Sequence, residues 1–304
     1  MKIRTYAHNI KHSRLGNAVR ADDTFPFLCL LPGLIGVLVF FGMPFLIVIF
    51  YSFVDNPVNK EFVFLDNYIN LLRNNAFKNA AVNTFEFAVT AVPLAVVLSL
   101  FLAFLLNEKI PGVSVWRSVF LSPLMVPVAS VVLIWQVVFN QNGTVNVILE
   151  HFGLTAVDWF KSDYGMIVVT LLFLWKNLGY NMVLFLAGLQ QIPVDLIEVA
   201  KLEGMGSIRQ FFAIKLRYLS PTILFVAIMS LINSFKVFRE VYLLTGDYPY
   251  SSLYLLQHFM NNTFRTLDYQ KLSSAAVIMG IVMVIIIGTL FIIENRFGHE
   301  DEND

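Results

Sequence analysis

The run from Thr24 to Val54 contains no charged residue, and it constrains the fold more than any other feature of the chain. A helix needs about 20 predominantly apolar residues to cross the hydrocarbon core of a bilayer, and this run exceeds that length. Five more apolar stretches of sufficient length follow, the fourth span with Lys176 inside it and the fifth continuing from about Phe235 to Leu244, so the sequence predicts six spans at about 27–53, 82–107, 118–139, 164–190, 218–244 and 272–294. The composition agrees: 57% of the 304 residues are hydrophobic, and only 14% are charged, against about 25% in a soluble domain. Lys+Arg and Asp+Glu are 21 each, so no basic surface is left to hold a nucleic-acid backbone, and nucleic acid is excluded as a partner. The single cysteine, Cys29, cannot form an intramolecular disulfide and reads as a small buried hydrophobe in an apolar run.

Residues 1–24 are polar and basic, and the apolar run that follows is too long for a signal peptide and lacks a small-residue cleavage site. The expected arrangement is a cytoplasmic tail at 1–24, a six-span domain at 25–297 and a cytoplasmic tail at 298–304. An N-in, C-in orientation places 12 Lys/Arg on the cytoplasmic side and 8 outside, with Lys176 within a span. Pro32, Pro44, Pro93, Pro123 and Pro127 predict bent spans, since membrane helices tolerate prolines that soluble ones do not. Tyr51, Trp116, Trp159 and Tyr164 fall near predicted span ends, where interfacial aromatics gather.

The segment 191–217, between the fourth and fifth spans, carries strong helix punctuation. Pro193 suits a first helical turn, Asp195 and Glu198 put negative charge near the amino end, and Gly204 or Gly206 can close the helix in a left-handed cap. Ser207 and Gln210 read as a capping box that opens a second helix through Phe211, Phe212 and Ile214. Leu196, Val199, Ala200 and Glu203 share one side, where small Ala200 and Gly204 permit close approach of another surface. An amphipathic pair lying in the headgroups would satisfy the same apolar residues, but it does not require the glycine-centred turn.

Glu198-Val199-Ala200, Gly204, Ile214 and Leu219-Ser220-Pro221 together resemble the EAA signature of permease subunits in binding-protein-dependent ABC importers. Ala187 to Pro193 upstream, Val241 to Gly246 downstream and Asn83-Thr84 at the start of the second span are similar to the carbohydrate-uptake branch, related to maltose and multiple-sugar permeases. The chain departs from the pattern at Val199, at Gly246-Asp247-Tyr248-Pro249 and at the approach to the sixth span. The resemblance implies an all-α integral membrane protein of the type I ABC importer permease fold, with a cytoplasmic coupling-helix loop. It implies a heterodimer with a second permease, two cytoplasmic ATPase subunits, an extracytoplasmic sugar-binding protein, and a bacterial or archaeal cytoplasmic membrane. Glu198, Ala200, Gly204, Ile214 and Pro221 would belong to the ATPase-coupling loop, with Glu198 pairing to a basic residue of the ATPase. The chain has no Gly-x-x-x-x-Gly-Lys-Ser/Thr, so it is expected to bind no cofactor itself, with ATP-Mg on the partner ATPase subunits.

Sugars are held by hydrogen bonds and aromatic faces. Ser230, Asn233, Ser234 and Val237 form one helical stripe on the fifth span, and the matching stripe contacts ligand in maltose-type permeases. Trp175, Leu178, Gly179 and Met182 form a parallel stripe on the fourth, where Gly179 could let a sugar reach the backbone and Trp175 could stack on a ring. Ordinary helix contacts and interhelical hydrogen bonds are the alternative for both; substrate contact is the preferred reading for the fifth-span stripe, and the two readings are balanced for the fourth. Lys176, halfway along a span, needs a partner or water: Asn177, Asn181 or a carboxylate of the second permease. Lys236, Arg239 and Glu240 read as a hydrated mouth or docking surface. The spans show no nucleophile with a base, no metal motif and no carboxylate apart from Glu86 at an edge, so a non-catalytic subunit is expected. The alternative is a self-sufficient secondary transporter or channel. The five histidines have no metal-ligand spacing.

Overall fold

The computed structural model describes residues 24–107 and 111–298. The two predicted tails lie almost wholly outside the described residues, as does Lys109. Helices make up most of the described residues, beside one isolated bridge of Val54 with Phe62: α1 (Thr24–Val37), a π turn (Leu38–Gly42), α2 (Met43–Tyr51), α3 (Asp66–Arg73), α4 (Asn75–Asn107) and α5 (Val113–Leu121). Then come a 3₁₀ turn (Ser122–Met125), α6 (Val128–Val138), α7 (Thr144–His151) and α8 (Gly165–Leu189). Next are α9 (Val194–Leu202), α10 (Ser207–Gln210), a second π turn (Phe211–Lys215) and α11 (Leu216–Tyr218). Last are α12 (Ser220–Lys236), α13 (Phe238–Thr245), α14 (Leu256–Arg265) and α15 (Tyr269–Gly298).

Five helical segments among the described residues are long and apolar enough to cross a membrane, at Cys29–Tyr51, Asn75–Asn107, Gly165–Leu189, Ser220–Thr245 and Tyr269–Arg296. The expected third span is not a straight rod. Val113–Met125 and Val128–Val138 meet at a bend of 100°. The cause is local: a residue before proline is pushed out of the helical region, and Val126 (φ −86°, ψ 129°) and Pro127 (φ −57°, ψ 136°) are both extended. In the first span, Met43 N–H bonds to Leu38 O in a widened turn just before Pro44, whose ring would collide with a regular turn.

Helix α4 packs against α8 along much of its length, and α12 lies beside both. Ala91, Ala95, Ser99 and Ala103 recur every fourth residue on α4 and are all fully buried, so the backbones come close. Two clusters fill the seam. Phe87, Val169, Phe173, Val237 and Val241 lie toward the α14 end, and Met182, Phe185, Leu189, Leu219 and Val226 toward the α9 end. The first span packs chiefly on α15, and the apolar window of that span is not buried within the chain. Cys29 is exposed there, contrary to its expected burial.

The segment before α14 is tied down by span two. Asn83 Nδ2 donates to the carbonyls of Ser251 (2.6 Å) and Tyr254 (3.0 Å), and Thr84 Oγ1 accepts from Leu256 N–H (2.8 Å).

Candidate functional site: the glycine-capped loop and the span-four cavity

Helix α9 starts directly after Pro193, with Asp195 in its first turn and Lys201 in its last, each matching the sign of the helix dipole. It ends in a Schellman motif: Met205 N–H reaches Ala200 O (2.9 Å), and Gly204 N–H reaches Lys201 O (3.0 Å). Gly204 sits at φ +77°, so of the two candidate glycines it is the left-handed cap. The capping box expected of Ser207 and Gln210 does not form. Gly206 is the N-cap residue of α10 without a side-chain bond, and Gln210 Nε2 donates instead to Met205 O, bracing the turn from inside.

Glu198 is exposed on α9, together with Val199 and with Leu202, which is 88% exposed. Ile208 on α10 is 78% exposed. Ala200 points the other way and is buried, so the close approach it permits is to the chain itself rather than to an outside surface. Ile197 and Ile214 pack on the cluster around Leu189, Leu219 and Val226, which joins the loop to both α8 and α12. Pro221 stands in the first turn of α12, where its missing N–H costs no hydrogen bond.

Between α8 and α12 the polar side chains pair in register. Asn181 Nδ2 donates to Ser230 Oγ (2.9 Å), and Asn233 Nδ2 donates to Asn177 Oδ1 (3.0 Å). At the next level, Lys176 Nζ is ion-paired with Glu240 Oε1. Glu240 was expected at a hydrated mouth, yet its side chain is only 7% exposed and it lies within the Ser220–Thr245 span. The expectation of no intramembrane carboxylate beyond Glu86 is thereby corrected. Sequence reasoning missed the pair because its members are far apart in the chain, and the only signal was a lone lysine in want of a countercharge.

A cavity of about 190 Å³ opens at this level. Lys176, Asn177, Asn233, Lys236, Val237 and Glu240 line it, with Leu124 of the broken third span as part of its wall. Of the two expected stripes, Asn233 and Val237 reach the cavity. Ser230 and Ser234 are buried in the helix seam, and Ser234 Oγ bonds back to Leu231 O. On α8, Met182 is fully buried in the core, Leu178 packs on the neighbouring cluster, and Trp175 lies 6.4 Å from the ring of Trp135. Gly179 does permit a close backbone approach, but the occupant is the chain itself: a Cβ there would lie 1.8 Å from Phe120 O. Near this level Gln136 Nε2 donates to the carbonyls of Leu243 and Leu244, fastening α6 to the end of α13.

Residues 95–297 match the family described as the binding-protein-dependent transport system inner membrane component. The chain belongs to this family. The permease is 30% identical to the trehalose/maltose transport system permease protein of Thermococcus litoralis, over 89% of this chain and 93% of that protein. It is also 30% identical to the arabinooligosaccharides transport system permease protein of Bacillus subtilis, over 86% of this chain and 84% of that one. The sn-glycerol-3-phosphate transport system permease protein of Yersinia pestis is again 30% identical, over 90% of this chain and 93% of that protein. A chain from the crystal structure of a bacterial ABC transporter involved in the import of the acidic polysaccharide alginate superposes with a TM-score of 0.79 at 19% identity, covering 93% of this permease and 99% of that chain. This fold is therefore that of an ABC importer permease, and the protein is a multi-pass membrane component of such an importer.

Proposed function

We propose that this permease forms half of the translocation pathway of an ATP-driven importer for sugars or sugar-derived solutes. In this reading the α9–α10 loop faces the cytoplasm, both termini lie on that side, and the α14 end meets an extracytoplasmic binding protein. A second, similar permease completes the pathway, and two ATPase subunits hold the ATP-Mg. The chain itself performs no catalysis. The named cargoes of its relatives, trehalose/maltose, arabinooligosaccharides and sn-glycerol-3-phosphate, support the sugar class.

The observation that carries the reading is the loop's construction. A nine-residue helix closed by a Schellman turn exposes Val199, Leu202 and Glu198, while its inner face is packed on two spans at once. An exposed apolar face rimmed by charge fits a protein partner. Because Ile197 and Ile214 are seated on the cluster shared by α8 and α12, movement of a partner against the outer face would pass to both spans as a rigid body. The Asn177, Asn233 and Lys176 level would then be the part of the pathway that opens to either side.

Purification of the tagged, detergent-solubilised protein from its host tests this. Recovery of a second permease and an ATPase is the expected result. Glu198→Ala and Gly204→Asp should reduce ATPase recovery and uptake while leaving the permease pair intact. Full assembly with normal uptake in both variants would refute the coupling role, and a lone permease with uptake activity after reconstitution would refute the importer reading.

A further inference from the structure

We infer that the cavity between α8 and α12–α13 is selective for solutes bearing a negative group, so that the cargo is an anionic sugar rather than a neutral one. This rests on the proposal that the cavity lies on the pathway. Three charged side chains line it: Lys176, Lys236 and Glu240. Glu240 is committed to Lys176 and is almost entirely withdrawn from solvent. Lys236, by contrast, makes no ion pair or hydrogen bond among the described residues, is exposed, and sits one turn before Glu240 on the same wall. The pair is neutral as a unit, so the cavity carries one net positive charge.

The hydrogen-bonding capacity points the same way. Lys176 has three N–H donors, of which the pair uses one, and its side chain keeps 34% of its surface exposed. Asn177 Oδ1 is already engaged by Asn233. Asn177 Nδ2 is likewise spent on Phe173 O, and the acceptors left, Asn233 Oδ1 and the second Glu240 oxygen, belong to the neutral amide pair and the ion pair; the uncompensated group is therefore the Lys236 ammonium, whose field the apolar walls of Leu172, Phe173 and Val237 strengthen. Phosphate and carboxylate oxygens accept from both ammonium groups and gain the charge-assisted attraction of Lys236, which a neutral sugar hydroxyl does not.

The local potential can be read without knowing the cargo. In the assembled, detergent-solubilised transporter, with Cys29→Ser removing the native thiol, Leu124→Cys places a reporter on the cavity wall. Its reaction rates with an anionic sulfonatoethyl and a cationic trimethylammonium-ethyl methanethiosulfonate are compared, each normalised to a free thiol. The anionic reagent is expected to react faster; Lys236→Gln should lower the anionic-to-cationic ratio by about tenfold, and Glu240→Gln should raise it. Asn233→Cys is a second reporter should the first fail to assemble. A ratio at or below one, or a ratio that Lys236→Gln does not move, overturns the inference. If neither reporter reacts with either reagent, the cavity is closed to water and the pathway assignment itself fails, which is a different result from unbiased reactivity.

Discussion

Removing one member of the Lys176–Glu240 pair should not be equivalent to removing the other. In Lys176→Met the carboxylate left behind is 7% exposed, and stranding a buried charge costs roughly 3–5 kcal/mol. In Glu240→Leu the ammonium left behind is 34% exposed and opens on a cavity, so its long stem can carry the charge to water. The loss there should be only about 1–2 kcal/mol. The double variant Lys176→Met/Glu240→Leu removes both charges and keeps the volume, and should return to within about 1–2 kcal/mol of the parent. Unfolding in mixed micelles titrated with denaturing detergent gives the four stabilities of the cycle. Equal losses in the two single variants would mean that the stranded ammonium is no better hydrated than the stranded carboxylate, and a double variant as poor as their sum would mean that the pair contributes little as a unit; either result refutes the reasoning.

Other perturbations test the remaining contacts. Gly179→Ala puts a Cβ 1.8 Å from Phe120 O where ordinary contact begins near 3.4 Å, so α5 and α8 must separate; a loss of about 1–3 kcal/mol and of transport is expected, with Gly280→Ala, which meets nothing within 4 Å, as the neutral control. Gly204→Ala should shorten the life of the ATPase complex and cost about 1 kcal/mol locally, since an L side chain at φ +77° is strained; off-rates of ATPase release measure it. His258, fully buried beside Phe238 and Tyr254, accepts Leu255 N–H on Nδ1 and leaves Nε2 without a partner, and burial lowers its pKa to about 4. Its contribution is therefore complete above about pH 6.5 and lost as pH falls toward 4, the loss reaching about 2 kcal/mol at pH 5. His258→Gln should flatten that part of the stability profile, and an unchanged slope would remove His258 as its source.

The features legible in the sequence were those set by composition and by single residues with one physical use. Apolar runs gave the six segments that appear among the described residues as five helical spans and one bent pair, and glycines after a charged helical turn offered a left-handed cap at Gly204 or Gly206, of which the structure uses Gly204. Features that depend on two distant segments were not legible. The partner of Lys176 is Glu240, which looked like part of an outer mouth because the fifth span continues past the break after Lys236. The use of Gly179 could not be read from α8 alone, because the group that needs the space is a carbonyl on α5. Ala200 was assigned to the outward face by helical spacing, yet only the packing of Ile197 and Ile214 decides which side of α9 looks inward. Pro123 and Pro127 announced a bend, but its size depends on where α6 finds its contacts, at Gln136 and around Leu172 and Leu244.

That bend also bears on the order in which the molecule is made. The nine residues of α5 with the four of the 3₁₀ turn, and the eleven of α6, give segments of about 20 Å and 16 Å, each short of a hydrocarbon core about 30 Å thick. Neither half can cross by itself. The contacts that hold the angle, Phe120 against Gly179 and Gln136 against the end of α13, are made with parts of the chain synthesised later. Those contacts can fix the angle between the two halves only after α8 and α13 have been made, so a ribosome-bound intermediate that stops before Gly179 should keep the local break at Val126 and Pro127 but hold the halves at another angle.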